Sequence, residues 1–297
     1  MFPSERETIH RCSTTSSSRR TVSDCARVAV RYAEDLASHY GATVHVVSVV
    51  DSRILDNAPH YEQVKGECID LVDATCDELA EANLDAEPVV LTAVPHRAIL
   101  DYVSEHGIDL VVMGTHGRTG VERYVLGSVA EKVVRLSDGP VLTVKTRDDG
   151  AVTYPYDDVL VPTDGSEGAA AAIELAVDVA STYGARLHAL SVVDTASLGV
   201  DVDSSVVGEL EKAARAAVEV VEERADQASV EIVGTAVEFG TPYGEIRSYV
   251  EERDVDLVVM GPHGRSGIER YLLGIVTEKT VRTSPVPVMT IRWSESS

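Results

Sequence analysis

The chain has 297 residues and a net charge of -23, with 26 Lys plus Arg against 49 Asp plus Glu. That length suits two domains, each large enough for its own core, and no apolar run reaches the roughly 20 residues of a membrane-spanning helix. The acidic balance argues against general nucleic-acid binding and against an anionic membrane partner. Only Lys65, Lys132, Lys145, Lys212 and Lys279 are lysines, so arginine supplies the rest of the positive charge. Much acid with little lysine fits a halophilic protein kept soluble in high salt. Cys12, Cys25, Cys68 and Cys76 form no C-x-x-C. They read as reduced thiols, and with no signal-peptide core at the N-terminus the expected location is cytoplasmic.

Residues 1–23 read as an irregular N-terminus, because 11–21 are rich in Ser, Thr and Arg and carry no strand pattern. Over 24–40 the spacing of Val28, Tyr32, Leu36 and Tyr40 predicts an amphipathic helix, ended by Gly41. The β-branched run 43–50 predicts a strand. A loop over 51–59, a long helix over 60–82 and a strand over 89–93 follow. Pro95 opens a helix over 95–106. Next come an apolar strand over 108–113, a helix over 125–136 and a last strand over 141–145.

Between the last two lies Val111-Val112-Met113-Gly114-Thr115-His116-Gly117-Arg118-Thr119-Gly120, running on to Gly127-Ser128. The stretch recurs as Val258-Val259-Met260-Gly261-Pro262-His263-Gly264-Arg265-Ser266-Gly267, running on to Gly274 and Ile275. A strand that breaks into glycines and re-forms as a helix reads as a phosphate cradle, the plainer reading being two tight strand-to-helix turns. Glycines let backbone N–H groups approach it, and the helix start adds free N–H groups and a positive dipole end. Arg118 and Arg265 could each neutralise phosphate charge or be solvated. His116 and His263 fit loop packing, Lys132 and Lys279 the surface, Met113 and Met260 the core, and Asp51 and Asp194 turn capping.

The polar stretch 146–155 separates two halves, and the linker is set at 147–156. Tyr183-Gly184-Ala185 then repeats Tyr40-Gly41-Ala42, and Ser191-Val192-Val193-Asp194 repeats Ser48-Val49-Val50-Asp51. Strands alternating with helices, with near-continuous Val and Leu runs, imply two α/β domains, 24–146 and 157–293. Each is a doubly wound parallel sheet of Rossmann-like type. The second half opens on a strand, Asp158-Val159-Leu160-Val161-Pro162, whose turn places Asp164 where such sheets bind ligands. The first half has no such strand in the matching stretch, and Thr21 falls where Asp164 aligns. Its first strand is therefore expected to be disrupted. Codons for 13–22 can be chosen so that the same bases, read one frame away, give Asp-Asp-Val-Leu-Val-Pro-Thr-Asp-Gly, which is identical to 157–165. A frameshift is the reading this suggests.

The repeated loop, the strand ending in Pro-Thr-Asp-Gly-Ser and the closing strand Pro140-Val141-Leu142-Thr143-Val144 resemble the universal stress protein family in its tandem form. The resemblance implies five-stranded domains and ATP, with or without Mg, in the crevice between strands 1 and 4. In the second half it implies Pro162, Thr163 and Asp164 around adenine and ribose, Val192 at the adenine through its backbone, and Gly261, Gly264 and Gly274 at the phosphates. Ile275 replaces the family's Ser or Thr, and Thr277 is the candidate to compensate. In the first half it implies Val49 at the adenine and Gly114, Gly117, Gly127 and Ser128 at the phosphates. It also implies pairing of the two domains along their last strands, or a homodimer formed the same way.

No triad, thiol–imidazole pair or metal cluster recurs between the halves, and the loop lacks the Lys-Ser/Thr ending of a P-loop. The expected function is a stress-response sensor or regulator that holds an adenine nucleotide without a dedicated base for hydrolysis. A slow ATPase and a nucleotide-free dimerising scaffold are the alternatives.

Overall fold

The computed structural model describes residues 7–11, 24–54, 58–115, 126–146, 152–195, 203–264 and 273–292. The chain divides into two compact units, Met1–Val152 and Thr153–Ser297. The first unit runs β1 (Glu7–Arg11), α1 (Asp24–Tyr40), β2 (Thr43–Asp51), α2 (Ala58–Glu81), β3 (Ala86–Ala93), α3 (Pro95–His106), β4 (Leu110–Gly114), α4 (Ser128–Leu136) and β5 (Val141–Val144). The second runs β6 (Asp158–Pro162), α5 (Glu167–Tyr183), β7 (Arg186–Asp194), α6 (Ser204–Ala228), β8 (Ile232–Gly240), α7 (Pro242–Glu252), β9 (Leu257–Met260), α8 (Ile275–Thr283) and β10 (Val288–Thr290).

Within the first unit the strands lie in the order β3-β2-β1-β4-β5, and within the second β8-β7-β6-β9-β10, all parallel. The chain winds outward from the central strand, then returns to its other side. The order therefore reverses between β1 and β4, and between β6 and β9, which opens a crevice at their carboxyl ends. Val111 and Val112 on β4, like Val159, Leu160 and Val161 on β6, are buried although neighbours on a strand face opposite ways. Both faces of each sheet are thus covered, and each such side chain contributes about 1.5–3 kcal/mol by leaving water. Helix α1 supplies part of one cover through Ala29, Ala33, Leu36 and Ala37.

One expectation is overturned. Residues 1–23 are not wholly irregular, because Glu7–Arg11 forms the central strand of the first sheet. Glu-Thr-Ile-His-Arg has no apolar run by which to recognise it. Backbone pairing does not need one: β2 and β4 each present a row of N–H and C=O groups to the gap between them, and an extended segment satisfies both rows. The linker also ends sooner than 156. Tyr156 is buried against Tyr183 with ring centroids 4.8 Å apart, and the Thr153 hydroxyl donates to the Asp256 carbonyl at 2.8 Å. Residues 153–156 are therefore docked on the second unit.

A buried polar cluster closes the amino ends of the second sheet, away from the crevice. His188 Nε2 bonds Asp158 Oδ1 at 2.8 Å, His188 Nδ1 bonds the Tyr249 hydroxyl at 3.1 Å, and Arg186 Nη2 donates to Asp158 Oδ2 at 2.5 Å. Asp256 Oδ2 accepts from the N–H groups of Asp157 and Asp158 at 2.9 and 3.0 Å. Burial pushes the Asp256 carboxyl above the usual range, partly offset by those two donors. The first unit repeats the imidazole–phenol pair, His45 Nδ1 to the Tyr102 hydroxyl at 2.9 Å.

Candidate functional site

The crevice of the second unit starts where β6 ends. Thr163 continues the pairing by donating its N–H to the Leu190 carbonyl at 2.8 Å. The chain then turns sharply. Gly165 has φ +74°, a conformation that a side chain disfavours. Three side chains close the turn. Thr163 Oγ1 accepts from Gly165 N at 3.2 Å, Asp164 Oδ1 from Ser166 N at 3.0 Å, and Ser166 Oγ from Ala169 N at 3.3 Å, capping α5. With Oδ1 held by the turn, Asp164 Oδ2 faces the loop that follows β9. A Cβ added at Gly264 would stand 2.6 Å from that oxygen. The strand carboxylate and the glycine loop thus meet across the switch point.

The loop's glycines do different jobs. A Cβ on Gly261 would stand 2.8 Å from the Gly168 carbonyl oxygen, and one on Gly168 would stand 3.0 Å from that of His263. Gly261 is therefore required by backbone-to-backbone packing of the loop on the first turn of α5. Gly114 meets the same demand in the first unit, where a Cβ would stand 2.7 Å from Cys25 Cβ. Gly168 went unnoticed in the sequence. The available signal was a glycine inside a helix, which costs about 0.5–1 kcal/mol relative to Ala and so hints at a close approach.

The Gly274 N–H donates to the Pro262 carbonyl at 2.8 Å, and the Gly127 N–H to the Thr115 carbonyl at 2.8 Å. These bonds close each loop, and Gly127 and Gly274 become the N-caps of α4 and α8. Neither cap carries a side-chain acceptor for the first-turn N–H groups. Those donors suit an anion. The helices begin at Ser128 and Ile275, so the expected start at 125 is three residues early. Ser128 is exposed at the head of α4, and Ile275 is 70 % exposed at the head of α8.

Thr277 does not stand free to replace the missing hydroxyl. It is buried, and its Oγ1 donates to the Gly261 carbonyl at 2.8 Å. Its proton is spent inside the loop, because the first turn of α8 lies directly on the end of β9. Lys279 is not a plain surface group either: its Nζ stands 4.2 Å from the centroid of the Tyr243 ring on α7. Met113 and Met260 are buried at the strand ends, as is Val49 on β2; Val192 and Pro162 are half-buried. Asp51 does cap its turn, with Oδ1 accepting from Arg53 N at 3.0 Å. The Arg53 guanidinium grips the same carboxylate and holds its pKa below the usual range. Gly117, His116, Arg118 and Arg265 lie outside the described residues.

Among the described residues no group of three or more His, Cys, Asp or Glu could hold a metal ion. No helix among them is long and apolar enough to cross a membrane. Cys25, Cys68 and Cys76 are free thiols, and burial beside Asp73 and Asp77 pushes Cys76 up to about 11.

Two doubly wound units, each with a glycine loop at its switch point, define a tandem α/β protein. The universal stress protein family model matches the chain twice, over residues 22–145 and 155–292. The chain belongs to that family. A universal stress protein of Methanocaldococcus jannaschii is 33 % identical over 141 residues, 46 % of this chain and 82 % of that protein. One of Mycobacterium tuberculosis is 32 % identical over 221 residues, 72 % of each chain. Among solved structures, a universal stress protein from Archaeoglobus fulgidus superposes with a TM-score of 0.72 at 24 % identity, covering 96 % of this chain and 98 % of that one.

Proposed function

We propose that the chain is a cytoplasmic sensor or regulator that holds an adenine nucleotide, ATP foremost, in the crevice of its second unit. The observation that carries this reading is the approach of Asp164 Oδ2 to Gly264. A carboxylate at the strand end beside a glycine loop is an acceptor suited to ribose hydroxyls. The loop beside it and the uncapped first turn of α8 offer N–H donors to phosphates. Pro162, Thr163 and Val192 border the adenine; Gly264 and Gly274 leave room for the phosphates, while Gly261 and Thr277 hold the loop's shape. A Mg ion would arrive on the triphosphate. The first unit offers Val49, Gly114, Gly117, Gly127 and Ser128 but no acidic residue over 12–22 to stand in for Asp164. It is the weaker site.

The two last strands, β5 and β10, each come last in the strand order of their own unit. Pairing along them within the chain, or between two chains, would pass nucleotide state from crevice to partner. The test is the nucleotide content of freshly purified protein, read by chromatography of what acid releases. Bound ATP, lost in Asp164→Ala, is the expected result. ADP accumulating with time would favour a slow ATPase. Protein that is empty and stays empty when titrated with ATP would overturn the reading in favour of a scaffold.

A further inference from the structure

The central strand of the first unit is unlike its counterpart in the second. Thr8 faces Val44 and Leu110 as Val159 faces Leu187 and Leu257, so β1 stands in the place of β6. Where β6 reads Asp-Val-Leu-Val-Pro, β1 reads Glu-Thr-Ile-His-Arg. A central strand in a sheet covered on both faces is normally an apolar run. The connection differs as well. Residues 12–23 separate β1 from α1, whereas only 163–166 separate β6 from α5.

The rest of the first unit is nevertheless built to receive a strand like β6. His45 and Tyr102 repeat the pair that holds Asp158, with ring centroids 5.8 Å apart against 5.7 Å for His188 and Tyr249. Asp109 precedes β4 as Asp256 precedes β9, and Asp256 is the acceptor for the N–H groups of Asp157 and Asp158. The sequence over 12–22 does not supply an Asp-Asp strand start.

We infer that residues 12–22 are written in a displaced reading frame, and that the protein's first unit carries the apolar strand and ribose-facing carboxylate encoded one frame away. A triplet in that frame takes its first base from the end of one codon and the other two from the start of the next. The latter pair is set by the residue: AC for Thr, TC and CG for Ser and Arg in their fourfold codon sets, GT for Val. Thr14, Thr15, Ser16, Ser17, Ser18, Arg19, Arg20, Thr21 and Val22 then yield Asp, Asp, Val, Leu, Val, Pro, Thr, Asp and Gly. Synonymous choice enters through the first base of each triplet and through the fourfold sets taken for Ser and Arg. The result is identical to 157–165. One step upstream, Cys12 followed by such a Ser13 yields Phe or Leu with either cysteine codon, opposite the buried Tyr156. One base added ahead of codon 13 enters that frame and one removed at codon 22 leaves it, so the new Gly joins Ser23, as Gly165 joins Ser166, and Asp24 follows where Glu167 stands. The strand-to-helix connection then has the length seen in the second unit.

The ligand of the completed site, an adenine nucleotide, rests on the function proposed above; the frame itself does not. Sequencing the gene across codons 10–30 and mapping tryptic peptides of protein purified from its native cells tests the frame. The expected peptide reads Asp-Asp-Val-Leu-Val-Pro-Thr-Asp-Gly-Ser and continues through Asp24, Cys25 and Ala26 to Arg27. Bases that spell other residues in the neighbouring frame overturn the inference. So does recovery of the peptide 21–27 that trypsin releases from the chain as written. Calorimetry on the full chain as written, and on the same chain with residues 14–22 replaced by Asp-Asp-Val-Leu-Val-Pro-Thr-Asp-Gly, should show ATP stoichiometry rising from one site to two. If neither chain binds ATP, the proposed function falls while the peptide map still decides the frame.

Discussion

Ile275 heads α8 with most of its side chain in water, beside first-turn N–H groups that no cap side chain serves. Ser128 heads α4 in the same place. A hydroxyl there adds one donor for a phosphate, and a net hydrogen bond contributes about 1 kcal/mol, more to a charged acceptor. Ile275→Ser should therefore tighten ATP binding by about that much in titration calorimetry. Thr277 cannot mask the gain, because its proton is committed to the Gly261 carbonyl; an unchanged affinity would place the phosphates elsewhere. Asp51 makes a separate prediction, about pH. Hydrogen bonds from Arg53 lower its pKa in the fold, so the native state favours the ionised carboxylate. The stability this contributes is complete above the ordinary aspartate range near pH 4 and is lost as pH falls through the lowered native value. Asp51→Asn should melt earlier than the parent at neutral pH, and the two melting curves should converge in acid. Much of the Arg53 side chain is in water, so salt should shrink the gap.

Where β9 meets the first turn of α5, two glycines three residues apart answer to different constraints. A Cβ at Gly261 meets backbone, the carbonyl of Gly168, which cannot swing away without moving α5. A Cβ at Gly264 meets the end of the Asp164 side chain, which can. Gly261→Ala should therefore cost stability, on the order of 1–3 kcal/mol as overpacking does, measured by denaturant unfolding. Gly264→Ala should leave stability nearly unchanged and weaken nucleotide binding, because the carboxylate it displaces is the ribose ligand. The reverse pattern would mean that the loop and the carboxylate do not act together. Replacing Gly127 by a bulky residue should likewise cost binding in the first unit, measured on a chain with its first strand complete.

Across the whole molecule, two edges invite pairing. β5 and β10 are short and β-branched, and each comes last in the strand order of its own unit. A last strand offers its backbone N–H and C=O row to a partner strand. Val144→Glu or Ile291→Glu should separate units that pair along these edges, seen as a larger radius of gyration in small-angle scattering. An unchanged compact profile in both variants would count against pairing along them. The acidic surface predicts in addition that any such pairing tightens as salt rises, since screening weakens like-charge repulsion.

The strand and helix order, the tandem repeat and both loop positions were legible in the sequence. So was the Asp51 turn cap. These features are local: periodicity over one element, a glycine against its neighbours, a spacing repeated later in the chain. Tertiary structure alone made Glu7–Arg11 a strand, because the reason lies in the unpaired backbone of β2 and β4 and not in its own five side chains. It alone gave Gly261 a packing requirement, occupied the Thr277 hydroxyl, and set Lys279 over Tyr243. Each of these depends on which elements meet at the switch point. Gly168 and Gly261 stand far apart in the chain, and a sheet that returns to its own centre is what presses one against the other.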